Sequence, residues 1–402
     1  MKILILFLFF NLFYANECTG DTNLDYNINV QDIILITNHI LEIEILENNS
    51  LDNADTNFDG AINILDIIGV IDLIINNTDF CEELNVVNLS ENWEIQHDLS
   101  YFDFESLEYI IDNQIENLTS LNGLIIIHNG KIISENYFNG SSAFDVYNIW
   151  SVTKSYMSTL IGQAIDMQMI PSINSTLDIL LPNQLNSNLE NIDLENLLTM
   201  SSGYYDSFSY PNWINVSTND LISMPYSNPG FFWYNNSACH INAHILFEQT
   251  QMTPYEFANI YLFPYLNINN PYWINGFNNI NDGSASLHLT LRQMVKLGQL
   301  FNQNGYASEN NQIISSEWIN NATSNLIETG WSYYGANQLD GYGYLWWIPD
   351  EGYLAFGYGG QFIAVFPNRN LVIGTHSETF SQWSYQIELL DIIFDDIAPI
   401  FE

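Results

Sequence analysis

Two twelve-residue stretches, DTNLDYNINVQD at 21–32 and DTNFDGAINILD at 55–66, repeat one pattern 34 positions apart. Each places Asp at position 1, Asn at 3, Asp at 5 and Asp at 12, and position 7 adds its backbone carbonyl. A loop that wraps on itself gathers these oxygens around one point, which is the chemistry of a calcium site. The two ligand sets are Asp21, Asn23, Asp25, Asn27 and Asp32, then Asp55, Asn57, Asp59, Ala61 and Asp66. An Asp/Asn-rich turn that binds nothing is the alternative, and duplication of the whole set argues against it. Position 6 is Gly60 in the second loop and Tyr26 in the first, so the first site is expected to be the weaker or more distorted. Apolar residues then recur at helical spacing after each loop, at Ile33, Ile34, Ile36, Ile40 and Leu41, and at Ile67, Ile68, Ile71, Ile74 and Ile75. Each unit therefore feeds a helix, and the two helices can bury their stripes on each other.

Charge constrains the same region. The 402 residues carry 47 Asp and Glu against 6 Lys and Arg, a formal net charge of -41, and positions 3–130 hold no Lys or Arg. Carboxylates crowded without a basic neighbour repel one another, so folding here is expected to be coupled to two structural calcium ions. Nucleic acid and anionic membranes are excluded as partners by the same sign. The paired loop–helix repeat resembles a dockerin over about residues 18–81. That resemblance implies a cohesin-like protein partner in an extracellular assembly. Loop positions 10 and 11, where many dockerins carry Ser-Thr, are Val30-Gln31 and Ile64-Leu65 here, which leaves the partner open beside a purely structural calcium module.

The opening MKILILFLFFNLFYA has one cation, an apolar run and a small residue at Ala15. It reads as a secretory signal peptide over 1–15, too short to span a bilayer. No later stretch is apolar enough for a membrane span, and the product is expected to be secreted, extracellular or periplasmic. In that compartment Cys18 and Cys81 can bridge, which would stabilise the fold by about 4 kcal/mol through chain entropy. Two free thiols are the alternative, and Cys239 reads as a small buried apolar residue.

Domain boundaries follow at 16–82 for the calcium module, 83–98 for a linker and 99–402 for a larger domain. In that domain a helix pattern in FESLEYIIDNQIENL precedes two β-rich runs around His128-Asn129-Gly130-Lys131, a hairpin signal. Helical stretches occupy 151–168, 195–200 and 291–305, and β-rich runs return in YGYLWWIPD, YLAFGY, GQFIAVFP and LVIGTHSE. Strands, then helices, then strands give an α/β fold in which both chain ends build one largely antiparallel sheet, flanked by helices.

Ser151 and Lys154 stand at the start of the first of those helices. Residues three apart share a helix face, so the hydroxyl and the ammonium can meet. The helix N-terminus adds partial positive charge where an attacked carbonyl would develop an oxyanion. A lysine of ordinary pKa is a poor base at neutral pH, and burial or a cationic role toward a phenol would change that. Alone, Ser151 reads as an N-cap. Downstream, Tyr234-Asn235-Asn236 precedes a helical run, where a phenolate at Tyr234 could take the Ser151 proton. Tyr358-Gly359-Gly360 precedes a β-rich run, where the Gln361 N–H could join the Ser151 N–H as an oxyanion hole.

With those residues in place, positions 93–400 resemble the serine β-lactamase/D-alanyl-D-alanine-peptidase superfamily. The nearest likeness is to class C-like esterases and 6-aminohexanoate-dimer hydrolases. IWSVTKS, the LLTMSSG run, NPGFFWYNN, LTLRQMVKLGQLFNQNG and the YGGQ strand occur in family order. The resemblance implies a transpeptidase-like sheet with a helical subdomain and an acyl-enzyme mechanism with no catalytic cofactor. By motif Ser151 is the nucleophile, Lys154 its lysine, Tyr234 the general base and Asn236 its polar partner. Tyr358, Gly359 and Gly360 fall on the third motif, usually Lys-Thr-Gly or His-x-Gly. Tyr358 there replaces a cation that would help hold a β-lactam carboxylate, so an ester or uncharged amide is favoured over a β-lactam or peptide. A silent scaffold on the same fold is the other reading.

No Gly-x-Ser-x-Gly elbow is present for a Ser-His-Asp hydrolase. His240 and His244 have zinc-helix spacing, but HINAH lacks the catalytic Glu, and ordinary helix histidines are expected.

Overall fold

In the computed structural model, the described residues are 19–23, 28–41, 43, 45–46, 49–57, 60–75, 86–184, 189–331 and 337–401. The chain forms two compact units, the first ending at Leu84 and the second beginning at Asn85. The signal segment, Asp25, Tyr26, Asn27, Asp59, Cys18 and Cys81 lie outside the described residues.

In the first unit helices Val30–Ile40 and Ile64–Ile75 follow the two loops. Ile36 and Val70, equivalent in the repeat, are fully buried and make the small core with Ile28, Leu46 and Ala54. Gly69 permits the close approach of loop and helix, because a Cβ there would stand 2.1 Å from Thr56 Oγ1.

The second unit is built on an eight-stranded sheet. Its order is Lys131–Tyr137, Leu121–His128, Leu371–Ser377, Gln361–Phe366, Tyr353–Gly357, Trp347–Ile348, Gly341–Tyr342 and Ile327–Glu328, all antiparallel. Strands from the two ends of this unit thus pair side by side, second and third in the sheet, as the sequence pattern implies. The first hairpin turns at Asn129 and Gly130, with φ of 49° and 73°, the left-handed pair that an Asn-Gly turn supplies. Leu291–Asn302 crosses one face. Its Gly298 faces Ile363 and Val372, while Gly374 of the sheet faces Val295. Absent side chains on both surfaces let helix and sheet close.

Helices from the middle of the chain, among them Asn236–Thr250 and Pro254–Tyr261, surround Val152–Asp166. That helix has buried residues on all sides, which explains its near-continuous run of small and apolar residues. Residues 86–98, expected as a linker, lie on the second unit. Leu89 is fully buried, the Trp93 indole donates to Arg292 O at 2.9 Å, and Ile95 bridges Ile132. No helix among the described residues is long and apolar enough to cross a membrane.

Candidate active site

Val146–Asn148 pairs with Leu287–Thr290, and the Ile149 N–H donates to Leu287 O at 2.9 Å. The chain then reverses through Trp150, a non-glycine residue at φ 49°, and begins the buried helix at Val152. Left-handed backbone at a bulky residue is held by its surroundings and is common beside functional groups. Ser151 makes no side-chain cap bond. Its Oγ instead accepts from Lys154 Nζ at 2.9 Å, so the capping role expected of a lone Ser is not what this hydroxyl does. Among the described residues the Ser151 N–H has no backbone or side-chain acceptor.

Lys154 is 1% exposed. Its other two bonds go to Asn236 Oδ1 and to Ser284 O, both at 2.7 Å. Three donors meet three acceptors, which fits an ammonium. Asn236 Oδ1 and Ser284 O can only accept. Ser151 Oγ alone can reverse polarity, so the same contacts also fit a neutral amine accepting the Ser151 O–H.

Asn236 opens the helix Asn236–Thr250, and Asn235 caps it by accepting from the Ala238 N–H at 2.9 Å. The Tyr234 ring centroid lies 5.0 Å from Lys154 Nζ, with its face against Trp347. Among the described residues its hydroxyl makes no hydrogen bond; ring, not hydroxyl, meets the Lys154–Ser151 pair.

The third motif forms the turn between Tyr353–Gly357 and Gln361–Phe366. Gly359 and Gly360 have φ of 89° and 101°, and a Cβ on Gly359 would stand 2.8 Å from the carbonyls of Glu378 and Thr379. This turn abuts the nucleophile segment: a Cβ on Gly357 would meet Ile149 O at 2.4 Å, and the Tyr358 and Trp150 ring centroids are 5.6 Å apart. The Gln361 side chain exchanges two bonds with the Ser377 backbone, so it is held on the neighbouring strand.

Sequence reasoning missed the segment 282–286, because Asn-Asp-Gly reads as an ordinary turn. Asp282 is fully buried. Its Oδ1 accepts from Trp213 Nε1 and from the Ser284 N–H, both at 2.9 Å, and its Oδ2 from Ser286 Oγ at 3.1 Å. Burial outweighs those donors and the Lys154 charge, so its pKa stands above the usual carboxylate range. The carboxylate thus fixes the peptide that presents Ser284 O to Lys154, and it holds Ser286 at φ 128°.

Behind this segment the two helix histidines form a chain. The Gly283 N–H donates to His240 Nδ1 at 3.1 Å, which places the His240 proton on Nε2, 3.3 Å from His244 Nε2. His244 then donates from Nδ1 to Thr218 Oγ1 at 2.8 Å. Asp282 Oδ1 lies 4.0 Å from His240 Nδ1, but that nitrogen bears no proton and the contact is not an ion pair. Burial keeps both rings neutral, with His244 lowered to about 4.

In the calcium module the position-12 carboxylates organise both loops. Asp32 Oδ1 accepts from the Thr22 N–H at 2.8 Å and Oδ2 from the Asn29 N–H at 2.8 Å. Asp66 repeats this with Thr56 at 2.9 Å and Asn63 at 2.8 Å. Asp21, Asp32 and Asp66 are fully buried in a region of the chain that has no Lys or Arg. Buried carboxylates in such a setting fit a bound cation.

The Beta-lactamase family model matches residues 116–388. The chain belongs to the beta-lactamase family. Residues 19–75 match the Dockerin type I domain, whose members typically bind calcium and a cohesin partner. This beta-lactamase-family chain is similar in structure to a "Putative 6-aminohexanoate-dimer hydrolase from Bacillus anthracis", with 20% identity, a TM-score of 0.60, and 73% and 81% of the two chains covered. A putative beta-lactamase from Bacteroides dorei DSM 17855 is 15% identical, with a TM-score of 0.63 over 75% of this chain and 99% of that one. The penicillin binding protein from Bacillus halodurans is 15% identical, with a TM-score of 0.56 over 72% and 99%. Identities this low show the fold alone. No curated protein sequence matches the chain at a significant level.

Proposed function

We propose that this protein is a secreted serine hydrolase that cleaves an ester or uncharged amide through an acyl-enzyme on Ser151. The observation that carries this reading is the 2.9 Å contact between Ser151 Oγ and Lys154 Nζ. In the neutral form Lys154 takes the Ser151 proton while its two N–H groups stay on Asn236 Oδ1 and Ser284 O. Oγ attacks the carbonyl carbon, and the oxyanion forms toward the Ser151 and Gln361 N–H groups. Lys154 then returns that proton to the leaving oxygen or nitrogen, which departs, while the Tyr234 ring stays packed on Nζ. Water repeats the sequence in reverse, releasing the acid and restoring Ser151.

Substrate charge follows from the cations. Lys131 pairs with Glu94 at 3.1 Å, Arg292 with Glu135 at 2.6 Å and Arg369 with Glu351 at 2.6 Å. Lys296 donates to Glu91 O at 2.8 Å over the Trp93 ring. Lys154 has its nitrogen taken up by Ser151, Asn236 and Ser284 in either protonation state, which leaves it nothing for a substrate carboxylate. No described Lys or Arg remains to hold a substrate carboxylate, which disfavours β-lactams and peptide C-termini.

For the first unit we propose two calcium ions and a cohesin-like partner. The repeat exposes matching apolar positions, Val30 and Ile64 at 63% and 64%, Ile34 and Ile68 at 53% and 55%. Such a face suits an apolar docking surface in place of Ser-Thr recognition.

Treatment with a fluorophosphonate probe tests the enzyme reading: Ser151 in the wild-type protein is labelled and Ser151→Ala is not. A wild-type protein that neither labels nor turns over nitrophenyl esters would support the silent scaffold instead.

A further inference from the structure

Resting on the hydrolase reading, we infer that the site selects a substrate carrying an uncharged six-membered ring with a broad apolar face beside the scissile ester. Two aromatic walls flank Ser151. One runs through the residue before it: Trp150 lies 5.0 Å from Tyr210 and 5.6 Å from Tyr358, ring centroid to centroid. The other begins at Tyr234, on the Lys154 ammonium, and continues to Trp331 at 6.1 Å and from there to Trp383 at 5.9 Å. Tyr210, Tyr358 and Trp383 are 42%, 46% and 39% exposed, so each wall ends in a ring with solvent on part of its surface. A soluble, acidic protein exposes neighbouring aromatic surface of this kind at binding sites.

The chemistry of the walls sets the class. Tyrosine and tryptophan offer broad apolar faces with a polar edge, and they stack on flat rings in offset or edge-on geometry. Neither wall contains a Lys or Arg, and the chain as a whole repels anions. A ring bearing a carboxylate therefore has nothing to pair with, whereas a neutral ring loses little on leaving water. Two sources share this chemistry: the ring of an aromatic acid and the apolar face of a pyranose.

Four esters separate the outcomes. Methyl 3-phenylpropanoate is compared with methyl butanoate, and a monoacetylated methyl pyranoside with ethyl acetate. The expected result is a kcat/KM at least about fivefold higher for one ring ester than for its ringless counterpart, the gain one stacked ring supplies. The arm that shows it names the source. In Trp383→Ala and Tyr358→Ala that ratio falls to below half its wild-type value, while Tyr109→Ala, on the exposed face of Phe104–Asn113, leaves it unchanged. Adding a carboxylate to the preferred ring lowers kcat/KM about fivefold or more. Ratios below this mark in both arms, or equal turnover of the carboxylated ring ester, overturn the inference. Fluorophosphonate labelling of Ser151 in the same preparation keeps the two readings apart: labelling without ring preference removes ring selection alone, and no labelling removes both.

Discussion

Lys154 holds the site together because its one nitrogen meets three partners, Ser151, Asn236 and Ser284, from three separate segments of the chain. Lys154→Met, of similar reach and without a donor or lone-pair nitrogen, should lower kcat/KM by more than about 10²-fold, while Ser151→Ala should lower it by more than about 10³-fold. Asp282 acts one step behind. Asp282→Asn keeps the acceptor for Trp213 and the Ser284 N–H and removes the charge, so the expected effect is a roughly tenfold or greater loss of kcat with KM and the urea midpoint little changed. Asp282→Ala strands three buried donors, Trp213 Nε1, the Ser284 N–H and Ser286 Oγ, and should also destabilise the fold by about 1–3 kcal/mol per donor. A loss of stability in Asp282→Asn equal to that in Asp282→Ala would reduce Asp282 to a packing residue. The structure joins Ser151, Lys154 and Asn236 and lays only the Tyr234 ring on Lys154; as candidates all four were legible in the sequence because their chemistry lies in their own side chains. Ser284 was not, since it contributes a backbone carbonyl that any residue type carries, and Asp282 was hidden inside a turn-like tripeptide.

Between elements, the decisive contact is the crossing of Leu291–Asn302 over the sheet. A Cβ on Gly298 would stand 2.5 Å from Ile363 Cγ2, and one on Gly374 2.1 Å from Val295 Cγ1. Gly298→Val and Gly374→Val should each cost about 1–3 kcal/mol or more through overpacking, read as a lower urea midpoint at constant slope. Wild-type midpoints in both variants would contradict the close packing. The helix itself was legible from its 3.6-residue periodicity, and the long strands from their apolar runs. The hairpin was legible because only a few residues fit its left-handed turn. Within YGYLWWIPD, however, the structure has two short strands, Gly341–Tyr342 and Trp347–Ile348, whose separation depends on tertiary pairing. Residues 86–98 looked like a linker because their polar residues outnumber the few anchors, Leu89, Trp93 and Ile95, that dock them.

At the scale of the whole molecule, two opposing pH effects can be separated. His376 and His244 are buried neutral, with pKa values lowered to about 3 and about 4 by desolvation. The unfolded chain binds protons at these groups near pH 6.5, before the folded chain does. Stability is thus fully present above about pH 6.5 and declines as pH falls toward the folded values. Carboxylate repulsion in this acidic chain is relieved mainly below about pH 5, so urea midpoints should fall between pH 7 and 5, less so in His376→Gln. A flat profile over that window would contradict neutral burial. Chelation acts elsewhere: EDTA should remove helical circular dichroism assigned to residues 19–75 in the full chain while Ser151 labelling persists. Unchanged helix content would show that the loops fold without calcium. The central claim, an acyl-enzyme on Ser151, is tested most directly by intact mass of the full chain quenched in acid during turnover of an activated ester. The expected result is one acyl adduct, mapped to the Ser151 peptide and absent from Ser151→Ala; hydrolysis that proceeds with no adduct, or with one that survives in Ser151→Ala, would contradict it.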